Sequence, residues 1–123
     1  MRVDEFKYRV REVSHDDRIV AIDLEGGIFI SNIEDFRAVI ETQFNRRFKD
    51  VILNFSNLDF ISSMGIGVLV KDNEISDRKD LRMWIVSMPP EVRDIFNQFS
   101  LHKIMRICET EQAALEEITR LNV

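Results

Sequence analysis

Asp50-Val51-Ile52-Leu53-Asn54-Phe55-Ser56-Asn57-Leu58-Asp59-Phe60-Ile61-Ser62-Ser63-Met64-Gly65-Ile66-Gly67-Val68-Leu69 is the stretch on which the fold turns. Residues 50–55 form a compact apolar run of strand length, with Val51, Ile52 and Leu53 in its middle. Unbroken apolarity of this kind suits a central strand covered on both faces. A polar turn is expected after Phe55. The Ser62-Ser63 pair then opens a helix over residues 63–76, with Gly65 and Gly67 in its first turns. Glycines there cost a helix about 1 kcal/mol each relative to alanine. Their usual compensation is close approach, either by another element of the fold or by a partner surface. The carboxyl end of a strand in an open α/β sheet is also where such folds place their sites.

Upstream of this stretch, Phe6, Tyr8 and Val10 alternate with Lys7, Arg9 and Arg11, the period of a half-exposed strand. Ser14-His15-Asp16-Asp17 reads as a turn, residues 18–24 as a second strand paired antiparallel with the first, and Gly26-Gly27 as its closing turn. Ile33, Phe36, Ile40 and Phe44 then fall at helical spacing, with Ser31 or Asn32 as N-cap and Glu34-Asp35 in the first turn. Downstream, residues 81–87 read as a strand that Pro89-Pro90 stops. Pro90 starts a third helix whose apolar face is Val92, Ile95, Phe96 and Phe99. Residues 104–108 make a last short strand, and the closing helix carries Ala114, Leu115, Ile118 and Leu121 on one side. The order β-β-α-β-α-β-α-β-α predicts a single α/β domain over residues 1–123. It has a central mixed, mostly parallel sheet of about five strands and about four helices.

Composition narrows the function. With 123 residues, 45% hydrophobic and 32% charged, the chain has the size and balance of one self-sufficient globular core. A net charge of −5, with scattered basic residues, argues against a nucleic-acid surface and against anionic membranes. No apolar run is long enough to span a bilayer, and the charged start, residues 1–7, does not resemble a signal peptide, so a cytoplasmic protein is expected. Cys108, the one cysteine, cannot form an internal disulfide. His15 and His102 carry no local motif tying them to a serine nucleophile, and Asp16-Asp17 lacks further ligands at metal-binding spacing. No catalytic residue, metal or cofactor is expected. For Ser63 the residues alone leave two readings open: a helix N-cap, or an exposed hydroxyl beside a cap supplied by Ser62.

The run Asn57-Leu58-Asp59-Phe60-Ile61-Ser62-Ser63-Met64-Gly65-Ile66-Gly67-Val68-Leu69 resembles the STAS domain, named for sulphate transporters and anti-sigma factor antagonists. It is most similar to the small stand-alone bacterial members. Val51-Ile52-Leu53-Asn54-Phe55, Pro90-Glu91-Val92-Arg93-Asp94-Ile95-Phe96 and Glu109-Thr110-Glu111-Gln112-Ala113-Ala114-Leu115 support the resemblance, which is weakest before Gly26. It implies a non-enzymatic protein-binding domain of a sigma-factor partner-switching circuit in signal transduction and transcription regulation. Its implied partners are an anti-sigma factor that is a serine kinase of the histidine-kinase-like ATPase type, and a serine phosphatase. Ser63 falls on the family's phosphorylated serine, with Ser62 as second choice. The implied docking surface is Gly27, Ile28, Phe29, Ser62, Ser63, Met64, Gly65, Ile66 and Gly67. Three positions depart from the family pattern. Ser62 stands in place of the aspartate before the phosphorylated serine. Phe29 replaces an aspartate of the loop after strand two, and Met64 replaces a small polar residue. These departures leave room for a constitutive scaffold, or a subunit of a transporter or signalling complex, with no phosphorylation. A small-molecule or nucleotide-binding domain, or a weak hydrolase, is a third reading, resting on fold analogy alone.

Overall fold

The computed structural model describes residues 6–13 and 17–122. Its strands are β1 (Phe6–Glu12), β2 (Ile19–Ile28), β3 (Asp50–Ile61), β4 (Arg82–Val86) and β5 (Arg106–Cys108), and its helices are α1 (Ile33–Phe44), α2 (Ser63–Arg78), α3 (Pro90–Gln98) and α4 (Glu111–Leu121). The five strands lie in chain order, β1-β2-β3-β4-β5. β1 pairs with β2 antiparallel, from Phe6 opposite Gly26 to Glu12 opposite Val20. The other three pairings are parallel, each bridged by one helix. Of the turn expected at Ser14-His15-Asp16-Asp17, the first three residues lie outside the described residues, and Asp17 is in a turn.

Alternation along the strands divides the core into two layers. Val20, Ile22 and Leu24 of β2, Val51, Leu53 and Phe55 of β3, and Met83 and Ile85 of β4 face one side. There they meet Phe36 and Ile40 of α1, Ile66 and Leu69 of α2, and Val92 and Phe96 of α3. Ile19, Ala21, Ile52, Trp84 and Val86 face the other side, which Ala114 and Ile118 of α4 cover. β3 therefore has apolar residues on both faces, as its unbroken Val51-Ile52-Leu53 run predicts. Burial of each such side chain contributes about 1.5–3 kcal/mol, so the fold is secured mainly by this double layer.

The elements match the expected order, and the differences lie at their ends. β2 does not close at Gly26-Gly27 but continues to Ile28, with register shifts against β3 between Asp23 and Glu25 and between Gly26 and Gly27. β3 likewise runs past Phe55 to Ile61, where a polar turn is expected from the sequence. β4 pairs with β3 only as far as Val86 opposite Asn54, so the last part of β3 is held by β2 alone. Polar residues such as Ser56 and Asn57 are compatible with a strand there because water reaches it. A 3-10 turn, Ile30–Asn32, precedes α1, and Asn32 does not cap the helix with its side chain. That side chain instead donates to the Gly27 carbonyl and accepts from the Phe29 N–H, both at 2.9 Å, tying the end of β2 to α1. Pro90 starts α3 as predicted, but the helix ends before Phe99, which is exposed rather than part of the apolar face. Leu121 at the end of α4 is also exposed. The last strand is shorter than expected, because the Ile104 and Met105 N–H groups donate back to the Leu101 carbonyl of a preceding 3-10 turn, Leu101–Lys103, instead of joining the sheet.

Two ion-pair clusters sit on the α4 side. Asp50, almost fully buried, accepts from Arg82 Nε at 2.7 Å and Nη2 at 3.0 Å, and from the Trp84 indole N–H at 2.8 Å. Asp23 accepts from Arg11 Nε at 2.7 Å and Nη2 at 2.9 Å, and Arg11 reaches on to Glu111 of α4 at 2.6 Å. Arg11 holds the Asp23 carboxyl well below the usual carboxylate range, against the opposing effect of burial, and Asn54 and Arg9 add to the lowering. A depressed carboxyl stabilises the fold above its unfolded pKa, and that contribution is lost as pH falls through the acid range. Truncating the buried pair exposes its importance. Asp50→Ala leaves the indole N–H without its acceptor and Arg82 with only the Asn122 side chain, and is expected to lower stability by about 3–5 kcal/mol, measured by urea unfolding.

Candidate functional site

Three chain segments meet at the carboxyl end of β2 and β3: the end of β2 with the turn after it, the two-stranded extension of β3, and the first turns of α2. Ile28 lies opposite Ile61 at the last rung of the β2–β3 ladder. One residue further, the Ser62 N–H donates to the Ile28 carbonyl at 2.9 Å. This bond fixes where α2 begins.

Ser62 is the N-cap. Its backbone is extended, and its hydroxyl accepts from the Gly65 N–H at 3.2 Å, while its carbonyl accepts from the Ile66 N–H at 3.0 Å. Ser63 is therefore the first residue of the helix proper, and it is exposed. Of the two readings open from the sequence, the structure takes the one with Ser62 as cap. An exposed hydroxyl at this position sits against the positive end of the helix dipole, where an added anion is tolerated.

The remaining candidate residues divide into a floor and a surface. Ile28 and Ile66 belong to the main apolar core, and Gly27 and Gly65 are buried. A Cβ at Gly65 would lie 2.6 Å from Ile61 Cγ1 and 3.0 Å from Ile28 Cγ2, so only glycine lets α2 pack this tightly over the last rung. These four residues shape the site from beneath. Met64 and Gly67 are exposed and Phe29 is half-buried. A Cβ at Gly67 would meet nothing within 4 Å, so no element of this fold accounts for that glycine.

The sequence reading did not single out Phe60 and Ile30. Phe60 is 42% exposed, Met64 49% and Ile30 69%, and all three come from the segments that meet here. The Phe60 ring stacks on Phe29, with centroids 5.0 Å apart and planes inclined by 21°. The Phe29 ring in turn lies over Gly27, whose missing side chain leaves room for it. Alternation along an extended β3 would put Phe60 on the face of buried Leu58; the register shift opposite Gly26 and Gly27 instead turns Ile61 inward and leaves Phe60 outside, so periodicity alone does not reveal it. Asp59 on the β3 extension and Glu34 and Asp35 in the first turn of α1 are exposed carboxylates of the segments around the site.

His15 lies outside the described residues. His102 lines a cleft of about 870 Å³ bounded by α3, β5 and α4, which Ser63 does not line. Cys108 shares that cleft, and its thiol is pushed up by burial and by Glu117. Among the described residues no three His, Cys, Asp or Glu side chains gather to hold a metal ion, and no helix is long and apolar enough to cross a membrane. What the surface offers is an apolar, aromatic contact area with one hydroxyl at a helix start.

The two serines and two glycines separate cleanly by stability. Ser62→Ala removes the cap and is expected to cost about 1 kcal/mol, whereas Ser63→Ala stays within about 0.5 kcal/mol of the parent. Gly65→Ala crowds Ile61 and Ile28 at a cost of about 1–3 kcal/mol. Gly67→Ala adds up to about 1 kcal/mol through helix propensity. Chemical denaturation of the four variants checks all of these.

Comparison with known proteins places the geometry in context. The family model for the STAS domain matches residues 11–114. A curated protein, the anti-sigma F factor antagonist of Paenibacillus polymyxa, is 26% identical over 108 residues, covering 87% of this chain and 92% of that protein. Among solved structures, an anti-sigma factor antagonist from Mycobacterium paratuberculosis superposes with a TM-score of 0.82 at 17% identity, covering 94% of this chain and 96% of its own. The Bacillus cell fate determinant SpoIIAA in its phosphorylated form superposes with a TM-score of 0.68 at 24% identity, covering 91% of this chain and 99% of its own.

Proposed function

Because the chain belongs to the STAS domain family, we propose that it is an anti-sigma factor antagonist, a regulatory binding protein whose docking is switched by phosphorylation of Ser63. The observation that carries this reading is the division of labour between the two serines. Ser62 caps the helix and Ser63 stands exposed beside it, so the hydroxyl that would be modified is not the one that holds the fold. The sequence relationship to an antagonist of anti-sigma F factor and the fold shared with SpoIIAA support it.

A phosphoryl group adds about −1.5 to −2 charges and three strong acceptors. At the start of α2 the helix dipole accommodates that charge, so the domain stays folded. The same charge lies next to Met64, at the end of the fold that carries the Phe29–Phe60 pair. A partner burying that apolar surface would have to desolvate the phosphate along with it, and binding is lost. Gly67 supports the same surface: with no side chain and no neighbour it leaves the helix backbone open to close approach. The partner is then the anti-sigma factor, acting as an ATP-dependent serine kinase in the cytoplasm, with a serine phosphatase restoring the docking form. The catalytic chemistry resides in those partners.

One observation favours a second reading. Phe29 and Ser62 put an aromatic ring and a cap where the family pattern has carboxylates, and the resulting apolar surface suits a constitutive scaffold that is never modified. The two readings part in one experiment, recovery of bound partners by the parent, Ser63→Ala and Ser63→Asp proteins, with phosphosites mapped by mass spectrometry. For the switch, the parent and Ser63→Ala retain the partner and Ser63→Asp binds at least about tenfold more weakly, a loss of about 1.4 kcal/mol. Phosphate is found on Ser63. Equal recovery by all three proteins, with Ser62 and Ser63 unmodified, overturns the switch in favour of the scaffold.

A further inference from the structure

Asp72 lies mid-way along α2 with 0% of its surface exposed, and neither carboxyl oxygen has a hydrogen-bond partner. α2 packs against α1, β3 and β4. The two strands present Val51, Leu53, Met83 and Ile85 to this layer, so the sheet brings no charge toward Asp72. From α1 the groups that act on it are Glu41, and Arg37 more weakly; on α2 itself, Lys71 shares the same groove. Arg37 is already engaged by Glu34.

Asp72 and Glu41 thus form a carboxyl pair across the α1–α2 interface. Two ionised carboxylates are acceptors only, so they repel, and a hydrogen bond between them exists only when one carries a proton. We propose that Asp72 and Glu41 share one proton that locks α2 onto α1, and that losing it loosens the α1–α2 groove bordered by Met64, Gly67, Val68 and Ile75. The groove begins at Met64, one residue from Ser63, so the lock governs how the start of α2 is presented. The inference rests on the helix interface and holds whether or not Ser63 is modified. Burial is the main cause that pushes Asp72 up, with Glu41 adding to it and Arg37 opposing, to about 8. The sign follows from linkage. The folded chain holds a proton that the unfolded chain releases in the ordinary carboxylate range, so stability falls as pH rises from that range toward 8 and levels off above it.

The test uses the whole chain, labelled at methionine methyl carbons and at aspartate carboxyl carbons, in an NMR titration. The Asp72 carboxyl is expected to titrate near 8, and the Met64 methyl resonance to move with the same midpoint. Asp72→Asn keeps a hydrogen-bond donor toward Glu41, so it is expected to abolish the Met64 transition and to flatten the fall of the thermal midpoint over that pH window. Glu41→Gln lowers the midpoint at which Asp72 titrates. An Asp72 carboxyl that titrates in the ordinary range overturns the shared proton. A Met64 signal that does not follow Asp72, or an Asp72→Asn protein with the parent's pH profile, overturns the coupling to the groove. The carboxyl titration is read in the parent protein and stands even where a variant folds poorly.

Discussion

A single backbone hydrogen bond, from the Ser62 N–H to the Ile28 carbonyl, is the constraint on which the candidate site depends. It ends the β2–β3 ladder and begins α2 in the same step. Because it fixes Ser62 in extended backbone geometry, the Ser62 hydroxyl points back to the Gly65 N–H and serves as cap. Ser63 is then the first residue to turn outward. The close seating of Gly65 on Ile61 and Ile28 acts in the same direction, holding the first turn of the helix down on the last rung of the ladder. Buried residues beneath and exposed residues above are consequences of one register.

Much of the architecture is legible in the sequence because apolar periodicity is a direct record of burial. Val51-Ile52-Leu53 reads as a central strand because both of its faces are covered, and Phe36 and Ile40 read as a helix face because they meet the sheet. The pattern fails where water reaches both sides of an element. The extension of β3 through Ser56, Asn57 and Asp59 carries no two-sided apolar signal and reads as a turn, although it is a paired strand. Gly26-Gly27 punctuates the sequence like a turn while the chain continues through it as irregular strand. Phe99 fits the apolar stripe of α3 by spacing, but the helix stops one residue short of it.

The site was legible in part, for related reasons. The serine pair and the glycines mark the start of α2 by chemistry, yet residue type does not distinguish a cap from the residue after it. That distinction comes from the Ile28 carbonyl, contributed by a strand more than thirty positions earlier in the chain. Exposure of Phe60 and Ile30 was hidden because large apolar residues are ordinarily counted into the core. Here the turn after β2 and the β3 extension hold them at the edge of the fold, and Phe29 stacks on Phe60 as half-buried backing.

The strands of the sheet follow one another in the same order in space as along the chain. Every strand therefore joins a neighbour already made, across a hairpin or a single helix, and each closure encloses a modest segment, whose entropic cost grows only slowly with size. Such a chain can assemble progressively as it leaves the ribosome, N-terminal portion first. The β2–β3 ladder and the start of α2 lie in the first two-thirds of the sequence, so the recognition surface is synthesised before α4, which seals the opposite face.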